Sequence, residues 1–188
     1  MPQARYAERI PMAEFDFESL IVDIPDYPEP GVVFKDVTPL FADAEGFAAV
    51  VEAIAEHFAD CGVTKVVGAE ARGFMVGAPV AYKLGAGFVP ARKPGKLPRE
   101  TVSESYALEY GTDALEIHAD AIGPNDVVLL VDDLVATGGT AVAQVHLIEQ
   151  FGARLAGMGF LMELAFLEPR KVIAEATDVD VFSLVKVG

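Results

Sequence analysis

VVLLVDDLVATGGT, residues Val127 to Thr140, is the stretch that decides the fold. Val127 to Val131 are uninterrupted Val and Leu, as expected of a strand covered on both faces in a parallel sheet. Asp132 and Asp133 follow directly, and then Ala136, Thr137, Gly138, Gly139 and Thr140 form a loop with almost no side-chain bulk. Successive strand residues alternate faces, so the two carboxylates are expected to point apart without close repulsion. Both can accept hydrogen bonds from vicinal hydroxyls or meet a metal-bearing ligand through oxygen. The loop offers backbone N–H groups and two hydroxyls, and its glycines let the backbone approach a ligand closely. A helix expected from about Ala141 adds the positive end of its dipole, which suits phosphate. A sugar phosphate would satisfy both halves, with hydroxyls on the acids and phosphate on the loop. The plain alternative is a strand–turn–helix corner in which Asp and Gly serve as turn formers. The order of strand, two acids, small loop and helix favours the ligand site.

On either side of this stretch the chain alternates strand and helix signals. Phe47, Val50, Val51, Ile54 and Phe58 have helical spacing, with Gly62 placed to stop the helix. TKVVGAE and GFVPAR read as strands, and ARGFMVGAPVAYKLG as a turn and helix ending at Gly85. Val142, Val145, Ile148 and Phe151 give a helix stopped by Gly152, and LAGMGFLMEL and DVFSLVKV close the series as strands. TVSESYALEYGTDALEIHADAI is ambiguous, with a strand indicated only near its end. Residues 1 to about 20 read as an arm or first helix. Strands alternating with helices predict an α/β fold with a central, mostly parallel sheet flanked by helices. Ligands of such sheets bind at the carboxyl ends of strands, where Asp132 and Asp133 lie.

The length of 188 residues predicts a single domain over 1–188. An apolar share of 52% with 23% charged residues excludes a disordered chain. A net charge of −15 argues against nucleic acid or anionic membrane partners. A single cysteine, Cys61, cannot form an intramolecular disulfide, and no signal-peptide or membrane-length apolar run is visible, so a cytoplasmic protein is expected. Six of the fourteen basic residues fall between Arg72 and Arg99, and none lies between Glu100 and Ala153. That cluster either focuses a positive field on an anion or is a solvated basic face. His57, His118 and His146 lack partners at metal spacing and read as structural, and Cys61 as a packed thiol.

Two other phosphate motifs fail. PARKPGKL has Pro90 where a P-loop needs its first glycine and Leu97 where Ser or Thr should follow the lysine, and no glycine triplet has dinucleotide-fold spacing. The opening stretch instead resembles the phosphoribosyl pyrophosphate signature of type I phosphoribosyltransferases. EARGF (Glu70 to Phe74), RKPGKLP (Arg92 to Pro98), YALEYGTDALEIHADAI (Tyr106 to Ile122) and PGVVFKD (Pro30 to Asp36) are similar to segments of the adenine phosphoribosyltransferase family. Together they run in family order from about Pro30 to Phe151. The acidic-pair loop marks only the superfamily, whereas RKPGKLP with LEYG is specific to the adenine enzymes.

The resemblance implies a type I phosphoribosyltransferase fold with a small N-terminal hood largely from about 1–40. It implies transfer of the phosphoribosyl group from phosphoribosyl pyrophosphate to adenine, giving AMP and pyrophosphate, in purine salvage. Asp132 and Asp133 would hold the ribose, and Ala136, Thr137, Gly138, Gly139 and Thr140 the 5′-phosphate. Arg72, Arg92, Lys93 and Lys96 would bind pyrophosphate, with Arg92 the one to reach across a homodimer interface. A strained or cis peptide is expected within Glu70-Ala71-Arg72. Val33, Phe34, Lys35 and Leu134 would surround adenine, although Lys35 stands where the family often has arginine. Glu109 and Tyr110 would belong to a mobile catalytic loop spanning about Arg99 to Tyr110, with Glu109 approaching the purine N7. Mg²⁺ would be held mainly by substrate and water, with no dedicated protein ligands.

Overall fold

The computed structural model describes residues 15–107 and 112–188. After a short 3-10 turn, β1 (Val22–Pro25) and β2 (Val33–Asp36) form a small antiparallel hairpin. Helices α1 (Thr38–Ala42) and α2 (Ala44–His57) follow, then β3 (Lys65–Ala69), α3 (Arg72–Leu84) and β4 (Gly87–Ala91). A second antiparallel hairpin is made of β5 (Thr101–Ala107) and β6 (Thr112–His118). The chain continues through β7 (Val127–Val135), α4 (Gly139–Glu149), β8 (Arg154–Leu164), α5 (Pro169–Ala176) and β9 (Asp180–Val187). Among the described residues no helix is long and apolar enough to cross a membrane.

The main sheet has the order β4-β3-β7-β8-β9, and every pair in it is parallel. The unbroken apolar run of β7 is explained by its central place. Val128 and Leu130 enter one core with Val145, Ile148, Ile117 and Ile173, while Leu129 and Val131 enter the other with Ile54, Phe58, Val76 and Val80. Helices α2 and α3 thus cover one face, and α4, α5 and the β5–β6 hairpin the other. Each fully buried Val or Leu of β7 contributes about 1.5–3 kcal/mol relative to exposure.

Local chemistry sets the element ends. Asp43 caps α2 by accepting a hydrogen bond from the Gly46 N–H at 2.7 Å, which starts that helix three residues before the apolar pattern does. Asp132 and Asp133 fall inside β7, which runs on to Val135. Helix α4 begins at Gly139, two residues before the start expected near Ala141. The ambiguous segment corrects the expectation of a loop over Arg99 to Tyr110: Thr101–Ala107 pair with Thr112–His118 in register, Tyr106 opposite Asp113. Leu115 and Ile117, both buried, carry this hairpin onto the core. Its stem is tied to the end of β4 by reciprocal backbone hydrogen bonds between Arg92 and Glu116 of 2.9 and 2.7 Å. Helix α5, which no apolar periodicity announced, forms the crossover between the parallel strands β8 and β9.

Candidate active site

The sheet order creates the site. From β3 the chain crosses through α3 to β4 on one side, and from β7 through α4 to β8 on the other. The strand order therefore reverses between β3 and β7, and a crevice opens at their carboxyl ends. A cavity of about 320 Å³ lies there. The turn after β3 supplies Glu70, Ala71 and Arg72 to it, and β7 with the following loop supplies Asp132 to Gly138 and Thr140. The peptide between Glu70 and Ala71 is cis, within the segment where the resemblance implied a strained or cis peptide.

The two aspartates do not separate as strand alternation implied. Both line the cavity, and each acts on the other. Burial pushes the Asp132 carboxyl well above its ordinary range, and the Asp133 charge pushes it further. The Asp133 N–H donates to Asp132 Oδ1 at 2.9 Å and offsets part of this. Asp132 also leans on the start of α3: a Cβ on Gly73 would come within 2.7 Å of its Oδ1, so this contact requires glycine. Asp133 is 5% exposed. Arg72 Nε lies 2.7 Å from its Oδ2, an ion pair by distance. The N–H is not aimed along that line, and Oδ2 accepts no hydrogen bond.

The loop after β7 keeps its donors free. Gly138 is the N-cap of α4 with φ of 90°, a left-handed conformation that disfavours any side chain, and no side chain caps the helix. The first N–H groups of α4 thus remain available to an anion, with the dipole behind them. Helix α5 backs this loop, because the Pro169 carbonyl would lie 3.0 Å from a Cβ on Gly138.

Of the predicted cations, Arg72 and Lys93 line the cavity, whereas Arg92 and Lys96 do not. Arg92 Nε donates to Glu70 Oε2 at 2.7 Å within its own chain, and its fork also reaches the Lys96 carbonyl at 3.4 Å. Burial raises the Glu70 carboxyl, but hydrogen bonds from Arg92 and the Lys93 backbone outweigh it and leave Glu70 below its usual range. Lys93 Nζ lies 3.0 Å from Asp113, and that bond holds its ammonium above the usual lysine range.

Val33, Phe34 and Lys35 stand on β2 and do not line the cavity. Phe34 nonetheless packs against the site's arginine, its ring centroid 5.6 Å from the Arg72 guanidinium carbon, with the Tyr27 ring edge-on at 5.3 Å. The Lys35 ammonium is engaged across the hairpin by Asp23 at 2.6 Å. Leu134 is half-buried and lines the cavity. Gly139 opens α4 without lining it. Glu109 and Tyr110 lie outside the described residues, as do residues 1–14 of the predicted hood.

Four polar lining residues were given no role from the sequence: Glu70, Tyr106, Asp113 and Gln144. Three buried side-chain atoms among the described residues lack a hydrogen-bond partner, and two of them, Asp133 Oδ2 and Gln144 Oε1, belong to this cavity. Gln144 had a signal: it follows Thr140 by one helical turn and so shares its face. Tyr106 and Asp113 had none, because their meeting depends on the register of β5 with β6. Among the described residues no group of three or more His, Cys, Asp and Glu is arranged to hold a metal. His57 instead pairs with Asp180 and stacks on Phe182 at 4.1 Å, and Cys61 is a free, half-buried thiol.

Comparison with known proteins agrees with this geometry. The phosphoribosyl transferase domain model matches residues 37–185. An adenine phosphoribosyltransferase of Desulfitobacterium hafniense is 55% identical over 175 residues, covering 93% of this chain and 99% of that one. The crystal structure of adenine phosphoribosyltransferase from Rhodothermus marinus superposes with a TM-score of 0.85 at 47% identity, covering 91% of this chain and 96% of that one. The Saccharomyces cerevisiae adenine phosphoribosyltransferase, solved with an imino-altritol bisphosphate and adenine, superposes with a TM-score of 0.82 at 38% identity and covers 89% and 96% of the two chains.

Proposed function

The chain belongs to the phosphoribosyl transferase domain family, and from that membership we propose that it is an adenine phosphoribosyltransferase. It transfers the 5-phosphoribosyl group from phosphoribosyl pyrophosphate to adenine and releases AMP and pyrophosphate. One observation carries this reading: a single cavity joins paired carboxylates, an uncapped glycine-led helix start and two cations at the reversal point of the sheet.

The roles follow from what each group can offer. Asp132 and Asp133 accept hydrogen bonds from the ribose hydroxyls. The loop from Ala136 to Thr140 binds the 5′-phosphate through N–H groups and hydroxyls. Arg72 and Lys93 neutralise the pyrophosphate, with Arg92 and Lys96 flanking it on the basic loop. Adenine enters between Leu134 and the β1–β2 hairpin, where backbone groups of Val33, Phe34 and Lys35 read its edge. Adenine N9 then forms its bond to ribose C1, the C1–O bond to pyrophosphate breaks with the electron pair leaving on oxygen, and the proton on the imidazole ring of adenine is lost from N7 toward Glu109. Positive charge develops on the ribose as that bond opens, and the neighbouring carboxylates favour it. Glu109 and Tyr110 are assigned to the purine N7 side. The β5–β6 hairpin excludes water that would otherwise hydrolyse the sugar.

The residues fit Mg²⁺: Asp133 Oδ2 is a buried oxygen with no hydrogen bond, beside a second carboxylate. Asp132 and Asp133 would lie beside an ion carried in mainly by substrate and water, and that ion would supply charge neutralisation of the leaving group. We also read the chain as one domain with its hood in about residues 1–40, a reading supported by the β1–β2 hairpin packing on Arg72 through Phe34. A cytoplasmic place in purine salvage fits the single cysteine. Met75 and Tyr82, 50% and 89% exposed on α3, support a homodimer.

The test is an assay of the purified protein with Mg²⁺, phosphoribosyl pyrophosphate and each purine base in turn. AMP formation from adenine, with little product from guanine, hypoxanthine or xanthine, is the expected result. Preference for another base would reassign the substrate, and no transfer to any base would remove the enzyme reading.

A further inference from the structure

Among the described residues the cavity is lined by four carboxylates, Glu70, Asp113, Asp132 and Asp133, but by only two cations. Each cation already has an acidic neighbour, Arg72 beside Asp133 at 2.7 Å and Lys93 beside Asp113 at 3.0 Å. A polyanionic ligand therefore competes with a carboxylate for each cation it reaches. The two pairs differ. Asp133 sits rigidly in the central strand and is buried. Asp113 sits on the β5–β6 hairpin with its side chain 21% exposed, and Lys93 is 56% exposed.

Asp113 is itself held at several points. Its Oδ1 accepts from the Ala114 N–H at 2.9 Å, and its Oδ2 accepts from the Tyr106 hydroxyl at 3.4 Å across the hairpin. Tyr106 and Thr140, at the start of α4, line the same cavity. Polar contacts thus run from Lys93 through Asp113 to Tyr106. The other nearby acid, Glu70, is occupied by Arg92 at 2.7 Å, so Asp113 is the carboxylate that competes with a ligand for the Lys93 ammonium.

We propose that Asp113 is a positioning residue that stands in for the pyrophosphate group, keeping the Lys93 ammonium at the cavity wall and handing it over when a pyrophosphate-bearing ligand arrives. This rests on the transferase reading above and adds a specific cost to binding. The ligand must displace Asp113 and then tolerate its uncompensated charge nearby. The same competition helps the product pyrophosphate to leave.

Calorimetric titration with inorganic pyrophosphate and Mg²⁺ tests this on the full chain. Asp113→Asn is expected to tighten pyrophosphate binding roughly fivefold, the upper range for an exposed ion pair. Asp113→Glu should return affinity toward the original value. In a Lys93→Ala background, Asp113→Asn should change affinity less than about 1.5-fold, because the pair no longer exists to be exchanged. Weaker or unchanged binding by Asp113→Asn overturns the proposal alone, as does equal tightening in the Lys93→Ala background. Absence of pyrophosphate binding by the unsubstituted protein would overturn it together with the transferase reading.

Discussion

Asp133 on β7 and Glu163 on β8 stand on adjacent strands near the same carboxyl edge of the sheet, and both are nearly sealed from solvent, at 5% and 3% exposed. Their surroundings are opposite. Glu163 accepts from Arg170 three times, at 2.9, 3.0 and 2.8 Å, and from the Ser183 hydroxyl at 2.8 Å. Asp133 Oδ2 accepts from nothing. Burial alone would raise Glu163, but Arg170 and Ser183 outweigh it and leave the group below its usual range. At Asp132, the partner in the β7 pair, burial and a second charge win and the group lies well above its usual range. The contrast shows how one sheet edge serves two purposes. Satisfied polar groups near β8 and β9 hold α5 in place, while unsatisfied ones at β7 keep hydrogen-bonding capacity for a ligand.

The sharpest way to break this contrast is at the satisfied end. Arg170→Ala leaves Glu163 buried without its fork and should cost about 3 kcal/mol, the low end for breaking a buried pair because Arg170 is partly exposed. That predicts a Tm lower by roughly 6–10 °C, with kcat/KM at moderate temperature nearly unchanged. A collapse of activity without a Tm loss would reverse the assignment. At the unsatisfied end, Asp133→Asn should lower kcat/KM roughly 10- to 100-fold, the scale of losing a charged hydrogen bond. The Tm without ligand should fall less than for Arg170→Ala, since Oδ2 loses only its ion pair with Arg72 and no hydrogen bond. Steady-state kinetics beside thermal melts decide whether the two effects separate.

The smallest effect concerns pH. Because the folded Asp132 carboxyl is raised, its stabilising contribution is complete below the ordinary aspartate range and is lost as pH rises through the raised value. Asp132→Asn removes that loss and should stabilise the ligand-free protein by about 1 kcal/mol at neutral pH, within the usual gain from relieving a functional site. The advantage should shrink on acidification. Glu163 has the opposite sign: its contribution is complete above its ordinary range and is lost as pH falls through the lowered value. The gap between the unsubstituted protein and Arg170→Ala should therefore close in acid. Chemical denaturation across pH checks both slopes, and parallel curves for the two variants would sink the distinction.

Much of the site was readable before any coordinates. Asp132, Asp133 and the Ala136 to Thr140 loop are contiguous, and the residue types state their chemistry. The basic cluster was also visible, but only two of its members line the cavity, because strand direction at β4 turns Arg92 toward Glu70. The hairpin of β5 and β6 was hidden: SESYA and DALEIH carry too little alternation to fix a register, and a one-residue slip would move Tyr106 away from Asp113.

Local pattern by itself determined the alternating α/β order, the buried centre of β7, and a phosphate-suited corner after it, since period and adjacency act within a few residues. The tertiary structure alone decided which charges meet. Lys93 finds Asp113, Arg72 finds both Asp133 and Phe34, and Gln144 is sealed beside the Ala136 to Thr140 loop. Those pairings join residues far apart in the chain. Their geometry depends on strand order and register, which are set by burying the two faces of the whole sheet rather than by any single segment.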